Sequence, residues 1–160
     1  MTLLRRESVL PVEYQERLGV PLRWWVQGTM LVASLWLAVV VALPAVVAWG
    51  VSAAALALMA LGLLSYGSAR VIVQDGVFRA GRARIEATHL GTATALDPEE
   101  TRRTAGRDAD ARAYLLLRPY LKRAVRVQIA DPRDPTPYWL VSTRHPEELA
   151  RALHALAAAE

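Results

Sequence analysis

The sequence has no cysteine, only one lysine (Lys122), and few aromatic residues, at 7%. The absence of cysteine excludes disulfide bonds, thiolate nucleophiles, cysteine-ligated zinc and iron–sulfur clusters. It also fits a domain that faces the cytoplasm, where disulfides are rare. No glycine-rich stretch matches a dinucleotide or nucleoside-triphosphate loop, so the sequence offers no phosphate-binding motif.

Charge is also missing from one long stretch, because residues 24–69 contain no Asp, Glu, Lys, Arg or His. One bilayer span takes roughly 20 apolar residues, so these 46 residues suffice for two. Pro44 interrupts the stretch near its middle. The pattern predicts a transmembrane hairpin with helices over about 24–43 and 47–67 and a turn near Pro44. Ionisable groups within a membrane usually mark ion or proton pathways, so their absence argues against a channel, pump or transporter.

The ends of this stretch carry the residues expected at a membrane surface. Aromatic residues and cations favour the headgroup zone, and the turn residue Trp49 keeps its indole N–H near water. Four basic residues precede residue 24 and fifteen follow residue 69, whereas the turn has none. The positive-inside rule therefore predicts a multi-pass protein of the inner or plasma membrane with both termini in the cytoplasm. The predicted interface residues are Arg23, Trp24, Trp25, Trp49, Tyr66 and Arg70.

Other interpretations of the apolar stretch remain open. It fits a buried helix pair of a soluble protein, or a signal peptide cleaved near residues 46–48, although a signal peptide is shorter and lacks a second apolar run. Small residues at helical spacing either pack the two helices together or form a seam between two copies in a homo-oligomer. These small-residue faces are Ser34, Ala38 and Ala42 in the first helix and Gly50, Ala54, Leu58 and Gly62 in the second.

The first 23 residues are too polar to span a membrane and too few for a domain. Prolines at positions 11 and 21 divide the segment. Residues 11–18 are predicted to form a short helix on the membrane surface. The four arginines within residues 1–23 are predicted to meet anionic headgroups there.

Residues 70–160 change to dense charge and alternating apolar residues. Asp75-Gly76 is a strong hairpin signal between two short strands. Asp97 and Pro98 begin a short helix, and Pro146 begins a closing helix with an apolar stripe. About six short antiparallel strands are predicted, over residues 70–74, 77–80, 84–90 with an extension to 96, 113–117, 124–129 and 138–142.

The opening run of this part, residues 71–79, resembles the start of bacterial pleckstrin-homology-like domains, many of which follow a membrane hairpin. The predicted fold class is therefore an α+β membrane protein. Its transmembrane two-helix hairpin is followed by a small antiparallel β-barrel or sheet with a C-terminal helix. The predicted boundaries are 1–23 for a cytoplasmic juxtamembrane segment, 24–69 for the hairpin and 70–160 for the pleckstrin-homology-like domain.

Three segments carry a resemblance that covers nearly the whole chain from Tyr14 onward. They are residues 14–21 (YQERLGVP), residues 95–99 (ALDPE) and residues 131–149, which include TPYWLVSTRHPEEL. The chain resembles the actinobacterial alanine-rich membrane proteins that share domain of unknown function 3093. The resemblance implies an integral membrane protein with no established activity or catalytic residues.

The residues suited to catalysis do not form a convincing site. Ser142, His145 and Glu148 are close in sequence, but no nucleophile-elbow glycines flank the serine. Carboxylates at 97, 99 and 100 are better explained by capping of a helix. The histidines His89, His145 and His154 have no spacing typical of metal ligands on a helix. We therefore expect no enzyme activity, no metal and no cofactor.

Basic residues cluster around two predicted hairpins. Such clusters bind anionic lipid or a protein partner, or are simply solvated. The net charge of +4 is small for a dedicated nucleic-acid binder, so nucleic acid is not an expected partner. Tyr138 and Trp139 form either a peptide-binding surface or part of the core. The predicted patch residues are Arg79, Arg82 and Arg84 around one hairpin and Arg118, Lys122, Arg123 and Arg126 around the other.

These observations favour a non-enzymatic, membrane-anchored interaction or adaptor module that binds a protein partner or anionic lipid at the cytoplasmic face. The alternative is an accessory subunit or assembly factor that acts through its transmembrane helices.

Overall fold

The computed structural model describes residues 14–159, which form two compact units. One unit is a helical hairpin within residues 17–69, and the other combines residues 14–16 with residues 70–159. A single 3-10 turn, Ala87–His89, lies between the fourth and fifth strands. The strands and helices are β1 Tyr14–Arg17, α1 Leu22–Ala42, α2 Ala45–Tyr66, β2 Arg70–Gln74, β3 Val77–Ala80, β4 Ala83–Glu86, β5 Leu90–Leu96, α3 Pro98–Ala105, β6 Tyr114–Leu116, β7 Ala124–Ile129, β8 Tyr138–Ser142 and α4 Pro146–Ala158.

The predicted pair of long apolar helices is confirmed, with bounds close to those expected. The break between α1 and α2 follows from Pro44, because the residue before a proline is driven into extended backbone. Leu43 has φ −127° and ψ 158° accordingly, and α2 begins directly after Pro44. Both helices are long enough and apolar enough to cross a membrane. With a rise of 1.5 Å per residue, each is roughly 32 Å long, close to the thickness of a hydrocarbon core.

The first sheet has the strand order β1-β2-β3-β4. Asp75 and Gly76 connect β2 to β3 with φ values of 51° and 72°, as the two-residue turn predicted here requires. Gly81, at φ 63°, begins the next two-residue turn, between β3 and β4. Alternate residues of these strands are buried, so one face lies in the core and the other is exposed.

One predicted strand, from residue 84 to residue 96, is wrong as a continuous element. The 3-10 turn Ala87–His89 interrupts it. The Ala87 N–H donates to the Gly76 carbonyl, and the His89 carbonyl accepts from the Ala130 N–H. These bonds end β4 in the first sheet and start β5 in the second, so the interruption is where the chain changes sheets.

The second sheet has the strand order β5-β7-β8-β6. The β7–β8 hairpin and its bounds are confirmed. The expectation of purely antiparallel strands is wrong, because β6 pairs in parallel with β8. The predicted buried strand at 113–117 is also shorter than expected, and Leu115 is 40% exposed. Residues 70–159 thus hold seven strands instead of about six, and Tyr14–Arg17 is an eighth strand before the helices.

The core of the strand unit lies between its two sheets and under α4. Phe78 of the first sheet and Trp139 of the second are both buried, with ring centroids 5.7 Å apart. Burial of each such side chain contributes about 2 kcal/mol. The predicted apolar stripe of α4 is confirmed. Its residues are buried, and α4 packs mainly on β5. A second cluster around Leu96 and Leu140 fills the other face of the second sheet.

The predicted short helix at residues 11–18 is wrong for the residues that the structure describes, and residues 11–13 lie outside them. Tyr14–Arg17 is a strand that neighbours β2 at the edge of the first sheet. The alternating exposure along β1 shows that one face of this segment packs inward. In the chain, the two apolar helices are therefore an insertion between two neighbouring strands of one sheet.

Candidate functional site

The predicted interface residues of the hairpin lie at its two ends. Near its base, the Trp24 and Tyr66 rings stack with centroids 6.5 Å apart and planes within 6°. Near the turn, Trp49 is 63% exposed and lies 5.3 Å from the Trp36 ring. Arg23 is exposed in the first turn of α1. Aromatic residues therefore mark both ends of the helix pair.

The surface of the hairpin is apolar and exposed. Within α1 and α2, which the structure describes along their whole length, the buried residues are Val32, Ala48 and Ser52. Large apolar side chains project from both helices, including Leu31 at 72% exposure and Leu58 at 70%. A buried helix pair of a soluble protein would be covered by other residues. Among residues 14–159, these two helices are largely uncovered, which argues against that interpretation.

The small-residue faces do not form the contact between the two helices. A Cβ placed on Gly50 or Gly62 meets no atom within 4 Å, whereas one placed on Gly28 lies 2.3 Å from the Met59 sulfur. The two helices therefore meet at Gly28, and the predicted faces remain on the outer surface of the pair. The prediction that Gly50 and Gly62 pack the two helices together is therefore wrong. The alternative, that these faces form a seam between two copies of the chain, stays a prediction.

The first group of predicted basic residues lies together on the exposed face of the first sheet. Arg79 and Arg84 are directly opposite each other on β3 and β4. Arg82 is exposed in the turn between these strands. Arg70, predicted for the membrane interface, is exposed at the start of β2. The structure therefore brings these four arginines into one neighbourhood.

The second predicted group is divided among separate contacts. Arg123 forms an ion pair with Glu147, and the Arg126 guanidinium lies 4.5 Å from the centre of the Tyr138 ring. The Arg118 guanidinium donates to the Leu117 carbonyl at 3.2 Å. Lys122 is exposed. Arg118, Arg123 and Arg126 therefore make contacts within the second sheet and with α4. They are less available to a ligand than the first group.

The interpretation of Tyr138 and Trp139 as a peptide-binding surface is wrong. Their exposed fractions are 4% and 5%, because neighbouring side chains enclose both rings. The Tyr138 hydroxyl accepts from the Asp110 N–H at 3.1 Å, and the Trp139 ring contacts Tyr114.

The residues considered for catalysis have structural partners instead. The Ser142 hydroxyl accepts from the Arg118 N–H, and His154 Nε2 accepts from the Ala93 N–H at 3.3 Å. His145 immediately precedes α4, where its Nδ1 lies 4.0 Å from a Glu148 oxygen. The capping role predicted at residue 97 is confirmed, since the Asp97 side chain accepts from the backbone N–H groups of residues 99 and 100.

A buried carboxylate that the sequence did not reveal lies where β1 meets the corner between β8 and α4. The Glu16 side chain is 9% exposed. One of its oxygens accepts from the Tyr14 hydroxyl at 2.8 Å and from the Thr143 hydroxyl. The other accepts from the backbone N–H and the guanidinium of Arg144, at 3.1 and 3.2 Å. We call these four residues the Glu16 cluster, which ties the first described strand to the start of α4.

The Tyr14 hydroxyl in this cluster predicts a dependence of stability on alkaline pH. Burial raises the pKa of Tyr14 well above its ordinary value, and the Glu16 carboxylate raises it further. The unfolded chain loses this proton near pH 10 but the folded chain keeps it, so this contribution to stability is complete below pH ~10 and falls above it.

Tyr14→Phe should therefore remove part of this alkaline loss. One proton changes the free energy of unfolding by at most about 1.4 kcal/mol per pH unit, and less at a half-buried position. Denaturant unfolding of the full chain in detergent, followed at about pH 8 to 11, measures the difference between the two proteins. Equal slopes for wild type and Tyr14→Phe would contradict the predicted titration.

A cleft of about 300 Å³ lies beside β4 and the proline-rich turn between β7 and β8. His89 Nε2 lies 3.5 Å from an Asp131 oxygen in this cleft. Asp131 and Asp134 each accept a backbone N–H two residues further along, which orders the proline-rich turn. The hydrogen bonds from Thr136 hold the pKa of Asp134 below its ordinary value. Among residues 14–159, no three His, Asp or Glu side chains are arranged to hold a metal ion. The cleft is lined by Arg84, Ile85, Glu86, His89, Asp131, Asp134 and Trp139.

The fold and these sites define an α+β protein in which two long apolar helices are inserted between neighbouring strands of a two-sheet unit. The chain belongs to the family described as "Protein of unknown function (DUF3093)", which it matches over residues 13–153. The predicted resemblance to this family is thereby confirmed. No curated protein and no solved structure matches the chain.

The family match shows where a signal for the missed site was present. It includes all three segments that carried the resemblance. Two of these segments, residues 14–21 and 131–149, supply every member of the Glu16 cluster. Their distance in the sequence hid the contact, which joins positions more than 120 residues apart.

Proposed function

We propose that this protein is a membrane-anchored, non-enzymatic interaction module. In this proposal α1 and α2 cross the inner or plasma membrane, both termini lie in the cytoplasm, and the two-sheet unit presents a binding surface at the cytoplasmic face. The bound component is anionic lipid or a protein partner.

The observation that carries the proposal is the uncovered apolar surface of the hairpin. Soluble proteins rarely expose contiguous apolar patches above a few hundred Å², because such patches are unfavourable in water. Here, exposed apolar side chains occur along both helices, from Leu22 to Tyr66. Backbone polar groups in an α-helix are satisfied internally, so this surface is suited to lipid.

Charge and aromatic positions support the orientation. The helices and their turn contain no basic residue from Trp24 to Ala69, whereas Arg23 and Arg70 flank them. Cytoplasmic segments carry the excess of Lys and Arg, so both flanks are assigned to the cytoplasm. The aromatic pairs near the base and the turn suit the two headgroup regions.

The architecture of the two-sheet unit supports an interaction role. Two consecutive four-stranded sheets followed by a helix fit the predicted pleckstrin-homology-like fold, although the parallel pairing of β6 with β8 departs from it. Among the residues considered for catalysis, Ser142 and His154 accept hydrogen bonds from backbone N–H groups. These contacts favour binding through the surface over chemistry in a pocket.

Single-cysteine labelling tests the proposed topology, since the natural chain contains no cysteine. Ala45→Cys lies at the start of α2, and Ala155→Cys lies on the exposed side of α4. A membrane-impermeant maleimide added to intact cells should label position 45 at once and position 155 only after permeabilisation. Recovery of the chain in the soluble fraction, or labelling of position 155 from outside, would overturn the proposal.

A further inference from the structure

The exposed face of β2, β3 and β4 is dominated by arginine. Because side chains alternate across a strand, Arg70, Arg79 and Arg84 project from the face opposite the buried Val71 and Phe78. Arg82 extends the same region from the turn between β3 and β4. We call Arg70, Arg79, Arg82 and Arg84 the arginine face. The carboxylate on this side of the three strands is Glu86.

The sheet itself does not explain this arrangement. Arg79 and Arg84 are directly opposite on adjacent strands, where like charges are destabilising. Within the described residues 14–159, none of the four guanidinium groups has a carboxylate within 4.0 Å. This includes Arg84, which borders the cleft containing Asp131.

Other arginines of the same unit are neutralised by carboxylates. Arg103 pairs with Glu99, Arg112 with Asp110 and Arg123 with Glu147. The arginine face differs from these pairs, because it gathers four basic side chains that form no ion pair with a carboxylate of the described residues. A charged surface that folding does not compensate is available for an anionic ligand.

The choice between ligands follows from the position of this face in the chain. Arg70 follows the last residue of α2, Tyr66, by four positions, so the two are at most about 14 Å apart. If the hairpin crosses a membrane, the start of β2 lies close to the headgroups. Guanidinium groups bind phosphate oxygens in pairs of hydrogen bonds, and each basic residue near an anionic surface strengthens attachment about fivefold.

We infer that the arginine face docks on anionic phospholipid headgroups and holds the two-sheet unit against the membrane surface. The inference rests on the proposed function, because it requires the hairpin to be in the bilayer. A protein partner is the competing occupant. A protein partner is less favoured because the short connection from α2 to Arg70 keeps this face near the lipid surface at all times.

The test places a reporter on this face in the full chain. Gln74→Cys is exposed at the end of β2, and Ala155→Cys on α4 serves as the reference position. Each protein is labelled with an environment-sensitive fluorophore and reconstituted into vesicles of phosphatidylcholine alone or mixed with phosphatidylglycerol. A nitroxide attached to lipid headgroups quenches a label that lies at the surface.

We expect phosphatidylglycerol to increase quenching at position 74 but not at position 155. Raising salt from about 0.1 M to 1 M shortens the screening length from about 10 Å to 3 Å and should reverse the increase. The double variant R79Q/R84Q should lower the ratio of docked to undocked unit by about 25-fold, from two residues at fivefold each. R79K/R84K, which keeps both charges, should retain most of the docking.

R102Q/R133Q is the matched control, because it removes the same charge from exposed positions elsewhere in the unit. Equal quenching at position 74 in the two lipid mixtures would overturn the inference and leave the face to a protein partner. Equal loss in R79Q/R84Q and R102Q/R133Q would also overturn it. Flotation of every protein with both kinds of vesicle separates these results from failure of the proposed function, in which the chain does not float.

Discussion

Leu58→Arg is expected to reduce the ratio of membrane-inserted to uninserted α2 by about 300-fold. Leu58 is 70% exposed and lies well inside the helix. An arginine near the centre of a transmembrane helix costs about 3 kcal/mol, to which the loss of the leucine adds a few tenths. A glycosylation-reporter assay of helix insertion into microsomes measures the ratio directly.

The sign of this effect separates the two interpretations of the hairpin. On a helix exposed to water, the same substitution would be harmless and would reduce aggregation. Leu22→Arg is the matched control, since Leu22 is 76% exposed but is the first residue of α1, where an arginine reaches the interface. If Leu58→Arg inserts as well as Leu22→Arg, α2 does not cross the membrane.

Glu16→Ala is expected to destabilise the two-sheet unit by about 2–4 kcal/mol. The substitution leaves the Thr143 hydroxyl without its carboxylate acceptor, and Thr143 is 1% exposed. The Tyr14 and Thr143 hydroxyls, 2.9 Å apart, can then bond to each other, but one of the two donors loses its acceptor and keeps its desolvation penalty. The contribution of Arg144 is smaller, because its side chain is 41% exposed and screened by water.

Hydrogen exchange of the full chain in detergent measures this loss separately in each unit. Amides of β8 and α4 should exchange faster in Glu16→Ala, whereas those of α1 and α2 should not change. Glu16→Gln keeps one acceptor oxygen and should lie between wild type and Glu16→Ala. Gln15→Ala controls for the strand position, since Gln15 is exposed. Equal protection of α4 in Glu16→Ala and Gln15→Ala would show that the cluster contributes no stability.

The elements predicted correctly are those that local physics determines. A turn with two positive φ values needs residues such as Asp75-Gly76, so its place between β2 and β3 was readable from the dipeptide. The start of α3 followed from Asp97 and Pro98, and its capping box bears out that prediction. In each case, the determining contacts lie within a few positions in the chain.

The elements missed depend on partners distant in sequence. The alternating residues after position 84 favoured one strand, but bonds to Gly76 and Ala130 divide it between two sheets. Similarly, Tyr14–Arg17 reads as a polar segment until β2, on the far side of the hairpin, supplies its neighbour. Pairing between strands so far apart in the chain is not visible in the local sequence, because each strand segment alone is compatible with several structures.

For the candidate sites, the same division holds. The sequence by itself determined the uncharged hairpin and the family, since hydropathy and segment similarity are properties of the chain. It also predicted that Arg79, Arg82 and Arg84 lie near one another, because one tight turn connects the two strands that carry them. Only the tertiary structure decided that Arg123 and Arg126 are occupied by internal contacts. Only the tertiary structure brought Glu16 to Thr143. The two residues are 127 positions apart, so their contact depends on how the whole strand unit folds and not on the sequence near either residue.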